Sequence, residues 1–444
     1  MKKYITILLT VLFAAAFSMA AAAEGEDFSA SSPYVMFMDM NTGRVLYEKE
    51  ADTKIYPAST VKIMTAILAL ENCNLEDKIV ATETALASVP DGVTSMDIVP
   101  GEELTVRQLL YGAMLASAAD ATNVLGEAVS GSVSDFVQLM NEKAKELGMN
   151  DTNFSNTHGE HDDRTYTTVR DMAKLARYAM QNDDFREIVK TDRYSVQPTD
   201  RYKETRNLIN TNYMVCRYQR ADYYYSAAIG VKAGYTEEAG SCLIEAAKSK
   251  DMELLALTFG STTVDGRAQG YIDCREFFTT AFDNYKSSLM VTKGRLLGQL
   301  PIKNARRANQ ILLEAGENLY YLHNIDDEDG DITYEVHIGE FANAPVSKGD
   351  VLGEAEYFYN GISAGTVDLV ADKDYSFDGI AYVGDTVVDF VTSPVFILAV
   401  LAIIFIILYI RVRRIRAKRR RQKILRMKRR REAERRMREG LDEE

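Results

Sequence analysis

A hydroxyl and an amine stand three residues apart in Ser59-Thr60-Val61-Lys62, at the head of a stretch, 59–70, that is apolar and free of Gly and Pro. In a helix, residues i and i+3 share one face about one turn apart, so Lys62 could take the proton that Ser59 must lose to become a nucleophile. A lysine does this only when desolvation or a second cation disfavours its ammonium form. The partial positive charge of a helix N-terminus would favour the developing alkoxide. Such a pair arises about once by chance in a chain of this length at average residue usage, and an N-cap is the plainer role for Ser59. Two further sets carry the same kinds of group: Ser117-Ala118-Ala119-Asp120 after an apolar helical stretch, and Lys232-Ala233-Gly234-Tyr235 ahead of a strand-like run, 241–247. Taken singly, Ser117 reads as a capping residue and Lys232 as a solvated loop charge.

The remaining chemistry-bearing residues are less organised. His158 and His161 fall in His158-Gly159-Glu160-His161-Asp162-Asp163, a loop pattern without the helical HExxH frame of a zinc site. His323 and His337 read as surface or strand residues, so no Ser-His-Asp triad is visible. Tyr223, Tyr224 and Tyr225 read as a packed loop rather than a stacking platform. Cys73, Cys216, Cys242 and Cys274 show neither a paired framework nor a CxxC spacing, which points to free thiols and no metal.

These residues need elements to hold them. Runs 34–40 and 44–49, joined by Asn41-Thr42-Gly43, predict a β-hairpin. A buried helix is expected to start at Ala58 or Ser59, and helical patterns recur at 106–116, 121–129, 134–147 and 168–181. Strand-like runs at 241–247 and 254–259 precede a helix over 267–285. Beyond residue 286 short strands with polar turns take over, at 295–302, 310–313, 318–322, 332–340, 351–359 and 365–371, the texture of a small all-β module.

The ends fix the compartment. Lys2 and Lys3, an apolar stretch over 4–17 and the small residues Ala20, Ala21, Ala22 and Ala23 have the layout of a signal peptide cleaved near Ala23. Residues 394–410 form a run of 17 without charge, followed at once by Arg411, Arg413, Arg414, Arg416 and Lys418. That is a membrane span with its basic side in the cytoplasm. The last 34 residues hold 17 Lys and Arg against six Asp and Glu; setting that +11 and the two N-terminal lysines against the chain's −13 leaves −26 for residues 4–410. So acidic an ectodomain repels nucleic acid, and a basic tail beside a span faces anionic lipid. With 444 residues and 46% hydrophobic residues, the chain can bury more than one core.

The order of the three sets resembles the SxxK, SxN and KTG motifs of penicillin-binding proteins and β-lactamases. The wider resemblance is to the serine D-alanyl-D-alanine carboxypeptidases, the low-molecular-mass penicillin-binding proteins. It is carried by Asp39 with Thr42-Gly43-Arg44-Val45-Leu46-Tyr47, Tyr56-Pro57-Ala58-Ser59-Thr60-Val61-Lys62, Leu109-Leu110-Tyr111-Gly112, Asn153-Phe154 with His158-Gly159, Tyr166-Thr167-Thr168, Asn210-Thr211-Asn212 and Gly230-Val231-Lys232-Ala233-Gly234-Tyr235-Thr236 with Ala239-Gly240. It spans about residues 33–372.

The resemblance implies an α+β fold: a β-lactamase/transpeptidase-like domain with an antiparallel sheet flanked by helices, then a small all-β domain and one C-terminal transmembrane helix. The layout it implies is a signal peptide over 1–23, a carboxypeptidase domain over 30–285, a β domain over 286–378, a linker over 379–390, the span over 391–410 and a basic cytoplasmic tail over 411–444. It also implies a reaction without cofactor or metal, on peptidoglycan stem peptides ending in D-Ala-D-Ala, with β-lactams as inhibitors. Ser59 would attack the penultimate D-Ala carbonyl, Lys62 accept its proton and Ser117 pass a proton to the leaving amine. Lys232 would hold the substrate carboxylate and keep Lys62 deprotonated by its charge. The oxyanion would rest on the N–H of Ser59 and one from the strand after Gly234. Two positions depart from the family: its Asn is Ala119 here and its Thr is Ala233. Each lost hydrogen bond is worth roughly ten- to a hundred-fold in turnover, with Asn123, one turn beyond Ala119, as a possible substitute. Beside the enzyme stand two other readings: a catalytically weak homologue that binds peptidoglycan at the membrane, and a transpeptidase or β-lactamase on the same fold.

Overall fold

The structure, a computed structural model, describes residues 28–327 and 330–439. The signal peptide expected over 1–23 lies outside the described residues. The chain forms two compact units, one running to Met290 and taking in Leu319–Thr333 and Phe358–Gly365, the other formed by Val291–Asn318, Tyr334–Tyr357 and the chain from Thr366.

The first unit is built on a five-stranded sheet of β1 (Tyr34–Asp39), β2 (Val45–Lys49), β3 (Ala228–Thr236), β4 (Gly240–Ser249) and β5 (Met252–Ser261), in the spatial order β2-β1-β5-β4-β3. Each neighbouring pair is antiparallel, and β3 is an edge strand. Gly43, at φ +78°, turns the first hairpin. β4 and β5 are buried almost throughout, because apolar layers cover both faces of the sheet. On one face lie α1 (Lys62–Asn72), α2 (Val106–Met114), α3 (Ala119–Ser130), α4 (Val133–Glu146) and α5 (Val169–Ala179), sharing a core that includes Ile63, Leu110, Phe136 and Leu257. On the other lies α6 (Gln269–Asn284), whose Phe277 and Phe278 pack with Phe37 and Leu254. Polar side chains cap the helices where the spacing leads one to expect it. Thr105 and Gln108 form a capping box on α2, and Ser132 and Thr168 accept from N–H groups of the first turns of α4 and α5.

Several elements escape the sequence pattern. Asp183–Lys190 is a further helix, and Arg193–Val196 pairs with Arg206–Ile209. The Lys232 segment, expected as a loop charge, lies inside β3. The four cysteines are free thiols, three of them buried.

The six-stranded sheet, formed mostly by the second unit, follows the order Ile332–Ile338, Val351–Tyr359, Ile362–Ala371, Gln310–Ala315, Leu296–Lys303 and Ala342–Asn343. Its strands alternate, with Ile311 and Leu313 or Val367, Leu369 and Ala371 turned into the core. His323 is 3% exposed and shares a 2.8 Å hydrogen bond with Ser288, so it is a buried strand residue. Residues 379–390, expected as a linker, form a helix, α7 (Gly379–Thr392). The stretch has no proline to stop it and shows Tyr382, Val387 and Phe390 on its surface. A second helix, α8, runs unbroken over Pro394–Glu439. Among the described residues it is the one helix long and apolar enough to cross a membrane, and its apolar part is exposed on all sides, as lipid contact requires.

Candidate active site

Ser59 does not cap a helix. Pro57 and Ala58, the latter at φ +48°, turn the chain into a 3₁₀ turn over Ala58–Val61, and α1 begins only at Lys62. In a 3₁₀ turn the side chains at i and i+3 eclipse, which stacks Lys62 over Ser59 more closely than an α-helix would. Lys62 Nζ donates to Ser59 Oγ at 3.0 Å. A second donor of the same amine reaches the carbonyl of His158. The loop that carries this carbonyl is fixed to α1 through Thr65 Oγ1, which donates to Thr157 O at 2.7 Å. Gly159, at φ +82°, lies so near the nucleophile turn that a Cβ would stand 2.0 Å from Ala58 O.

Lys62 is 1% exposed. Burial pulls its pKa down from 10.5 to about 7, against the opposing pull of the Glu160 and Asp120 carboxylates. Near neutral pH a large share of the amine is therefore free to accept a proton. The same burial, with the charge of Lys62 added, pushes the His158 imidazole down to about 4; His158 Nδ1 accepts from Glu160 N–H.

From the other side β3 closes on the serine. Gly234 stands so near that a Cβ there would meet Ser59 N at 2.8 Å and Ser59 Cβ at 3.1 Å, which explains glycine at this position. Lys232, two residues earlier on the strand, is 1% exposed and donates to Ala233 O at 2.7 Å. Burial, then the charge of Lys62, holds its pKa well below the ordinary lysine value. This corrects one expectation: burial, not the charge of Lys232, is the leading cause of the depression at Lys62.

Ser117 sits in the turn between α2 and α3 at φ +60°. Flanking bonds hold the turn: Ala118 N–H to Gly112 O at 3.0 Å, Ala119 N–H to Thr94 O at 2.8 Å and Thr211 N–H to Leu115 O at 3.0 Å. Among the described residues no hydrogen bond joins the Ser117 hydroxyl to Ser59 or Lys62. Asp120, three residues on, takes Ser95 Oγ at 2.6 Å and the N–H groups of Met96 and Ile98 at 3.1 and 3.0 Å, fixing the segment beside the start of α3. Ala119 is 1% exposed, and Ala233 packs against the α6 layer; neither supplies the polar group that the family carries there. Asn123 does not substitute. Its amide is spent on Thr157 Oγ1 at 2.6 Å, Ala85 O at 3.2 Å and Ser88 Oγ at 3.0 Å, a structural tie one turn away from where the missing group belongs.

Comparison with known proteins agrees with this geometry. The family described as D-alanyl-D-alanine carboxypeptidase matches residues 19–263, and the family described as penicillin-binding protein 5, C-terminal domain, matches residues 285–376. The chain belongs to the D-alanyl-D-alanine carboxypeptidase family. A D-alanyl-D-alanine carboxypeptidase of Streptomyces sp. (strain K15) is 34% identical over 251 residues, 52% of this chain and 81% of the relative. DacF of Bacillus subtilis, described by the same activity, is 29% identical over 80% of this chain and 89% of its own length. In fold the chain is similar to penicillin-binding protein 5 from Haemophilus influenzae, with a TM-score of 0.63 at 22% identity, over 78% of this chain and 98% of that one.

What sequence reasoning missed in this carboxypeptidase site is mostly backbone. The His158 carbonyl has no side-chain signature, and Glu160 and Asp120 act on Lys62 only through the folded arrangement. The glycines were legible as family residues, but not as the contacts that set the height of the groove.

Proposed function

We propose that the chain removes the terminal D-Ala from peptidoglycan stem peptides through an acyl-enzyme on Ser59, in cell-wall biosynthesis and remodelling. The observation that carries this reading is the buried Lys62 amine, with its pKa near 7, 3.0 Å from the Ser59 hydroxyl. Ser59 Oγ attacks the penultimate D-Ala carbonyl as its proton passes to Lys62. The N–H groups of Ser59 and of Tyr235 on β3 face the oxyanion. As the C–N bond breaks, Ser117 relays a proton to the departing amine. Water then attacks the ester, Lys62 takes its proton, and Ser59 is regenerated. Lys232 receives the substrate carboxylate, which stabilises its ammonium form; two buried ammonium groups side by side are disfavoured, so the carboxylate draws the shared proton to Lys232 and leaves Lys62 neutral. Without the Asn and Thr of the family, Ala119 and Ala233 make turnover slow rather than absent, because the nucleophile and base are intact. A protein that only held peptidoglycan would have no use for a lysine desolvated against a serine.

The layout that goes with this activity is a signal peptide over 1–23, a catalytic domain over 30–285, a β domain over 286–378, a span over 391–410 and a cytoplasmic tail over 411–444. The partners are stem peptides ending in D-Ala-D-Ala, β-lactams as acylating inhibitors and the membrane.

The test uses the full chain in neutral detergent. Fluorescent penicillin is expected to label it covalently, Ser59→Ala to abolish the label, and D-Ala to appear from a diacetyl-Lys-D-Ala-D-Ala substrate. Labelling that survives Ser59→Ala, or no D-Ala from the unaltered chain, would sink the reading.

A further inference from the structure

The connection between Arg206–Ile209 and β3 carries a feature that the reaction does not use. Around Tyr218, which is 53% exposed, and Tyr224, 38% exposed, it gathers Arg193, Arg217, Arg220 and Arg275. The Arg193 guanidinium lies 4.6 Å from the Tyr218 ring centroid, and that of Arg217 lies 5.8 and 5.9 Å from those of Tyr218 and Tyr224. Arg220 covers Tyr223 at 4.6 Å, and Arg275 Nη2 donates to Tyr224 O at 3.1 Å. Asp222 engages Arg220 through two bonds of 3.1 and 3.0 Å. Among the described residues, Arg193 and Arg217 have no carboxylate within ion-pair distance.

Two guanidinium groups on one exposed pair of rings, with two more on the adjoining residues, stand out on an ectodomain that carries −26. The base beneath them is packed. Tyr223 is buried, stacks 6.1 Å from Tyr213 and 5.0 Å from Tyr271, and its hydroxyl accepts from Ala268 N–H at 2.7 Å. Stacking on an aromatic face occupies the plane of a guanidinium and leaves its N–H edge for an anion. The arginines are thus held ready, with less side-chain freedom to lose on binding.

The ends of the loop are joined to segments that carry the site. Its first residues are bonded to Leu115, two positions before Ser117, through Thr211 N–H at 3.0 Å, and its last residue leads into β3, which carries Lys232. We propose that this arginine-tyrosine patch is a second binding site for the wall polymer, taking carboxylates of stem peptides that neighbour the one in the groove. The inference rests on the carboxypeptidase reading. Every stem peptide not cross-linked through its own C-terminus ends in a carboxylate, trimmed or not, so a polymer that offers one such peptide to Ser59 offers others along its strands. Arg reads a carboxylate bidentately, and two linked contacts strengthen attachment without any new contact in the groove.

The test compares the full chain in neutral detergent with R193Q/R217Q and with R193E/R217E, on two substrates. For a short soluble D-Ala-D-Ala peptide, kcat/KM is expected to stay unchanged. For insoluble peptidoglycan stripped of phosphate polymers, KM is expected to rise about tenfold in the Gln pair and further in the Glu pair, with weaker co-sedimentation and a shallower salt dependence. R193K/R217K, which keeps the charge but not the planar fork, should recover only part of the loss. Unchanged polymer kinetics, an equal loss on both substrates, or retention only on wall that still carries phosphate polymers would overturn the proposal. Failure of the unaltered chain on the short peptide would instead overturn the carboxypeptidase reading.

Discussion

At the scale of single residues, the site turns on a lysine that the fold keeps out of water. Because the base must be neutral, acylation by fluorescent penicillin should slow as pH falls through about 7, the value to which burial brings Lys62. Lys62→Met should cost roughly 10²- to 10⁴-fold at neutral pH. The sign for stability follows from the same depression. Between about 7 and 10.5 the unfolded chain binds more protons at this residue than the folded one, so this residue makes stability rise with pH across that window and carries its full penalty below it. Lys62→Met should therefore melt higher than the unaltered chain at pH 7, with the gap closing by pH 10; a variant that melts lower at pH 7 would mean that the amine is not desolvated as described. The pairing of Ser59 with Lys62 was legible from their spacing. The cause of the lysine's state was not, since it depends on what α1, the His158 loop and β3 close over it. Asn123 shows the converse: its spacing suggested a substitute for the missing amide, yet Thr157, Ala85 and Ser88 had already claimed its polar atoms.

At the scale of elements, the 3₁₀ turn and β3 set the height of the groove between them. Gly234→Ala would force a Cβ to 2.8 Å from Ser59 N, closer than such atoms approach, so the strand or the turn must move. A displacement of that size in a catalytic pair is worth about 10²-fold, and the second-order rate of penicillin acylation should fall by that order. An unchanged rate would show that β3 can shift without disturbing the serine. Helices with a capping residue and a 3.6-residue pattern, α2, α4 and α5, were readable from sequence, as were α3 from its apolar pattern alone and the first hairpin from Asn41-Thr42-Gly43. β3 was not. Its glycines and its lysine look like loop residues, and only pairing with β4, from Ala228 opposite Ala247 to Thr236 opposite Gly240, makes them a strand. The helix at Asp183–Lys190 and the one at Gly379–Thr392 were missed for lack of length or of a clear polar face.

At the scale of the whole molecule, charge and hydropathy divide the chain in order: an acidic body, an apolar helix, a basic end. Removing residues 379–444 should move the protein from the membrane pellet to the soluble fraction after cell lysis. Persistence of the shortened chain in the pellet would show that the body itself holds lipid. The sheet bears on association as well. An edge strand invites a second copy to zip on beside it, and β3, at the edge of its sheet, is instead covered by the nucleophile turn against Gly234 and by Val189 against Gly230. It carries a lysine that is already buried and a glycine pressed against the nucleophile turn, so an added strand would have to displace the serine. The glycine and the serine that shape the groove thereby also guard the sheet against sticking to its own kind.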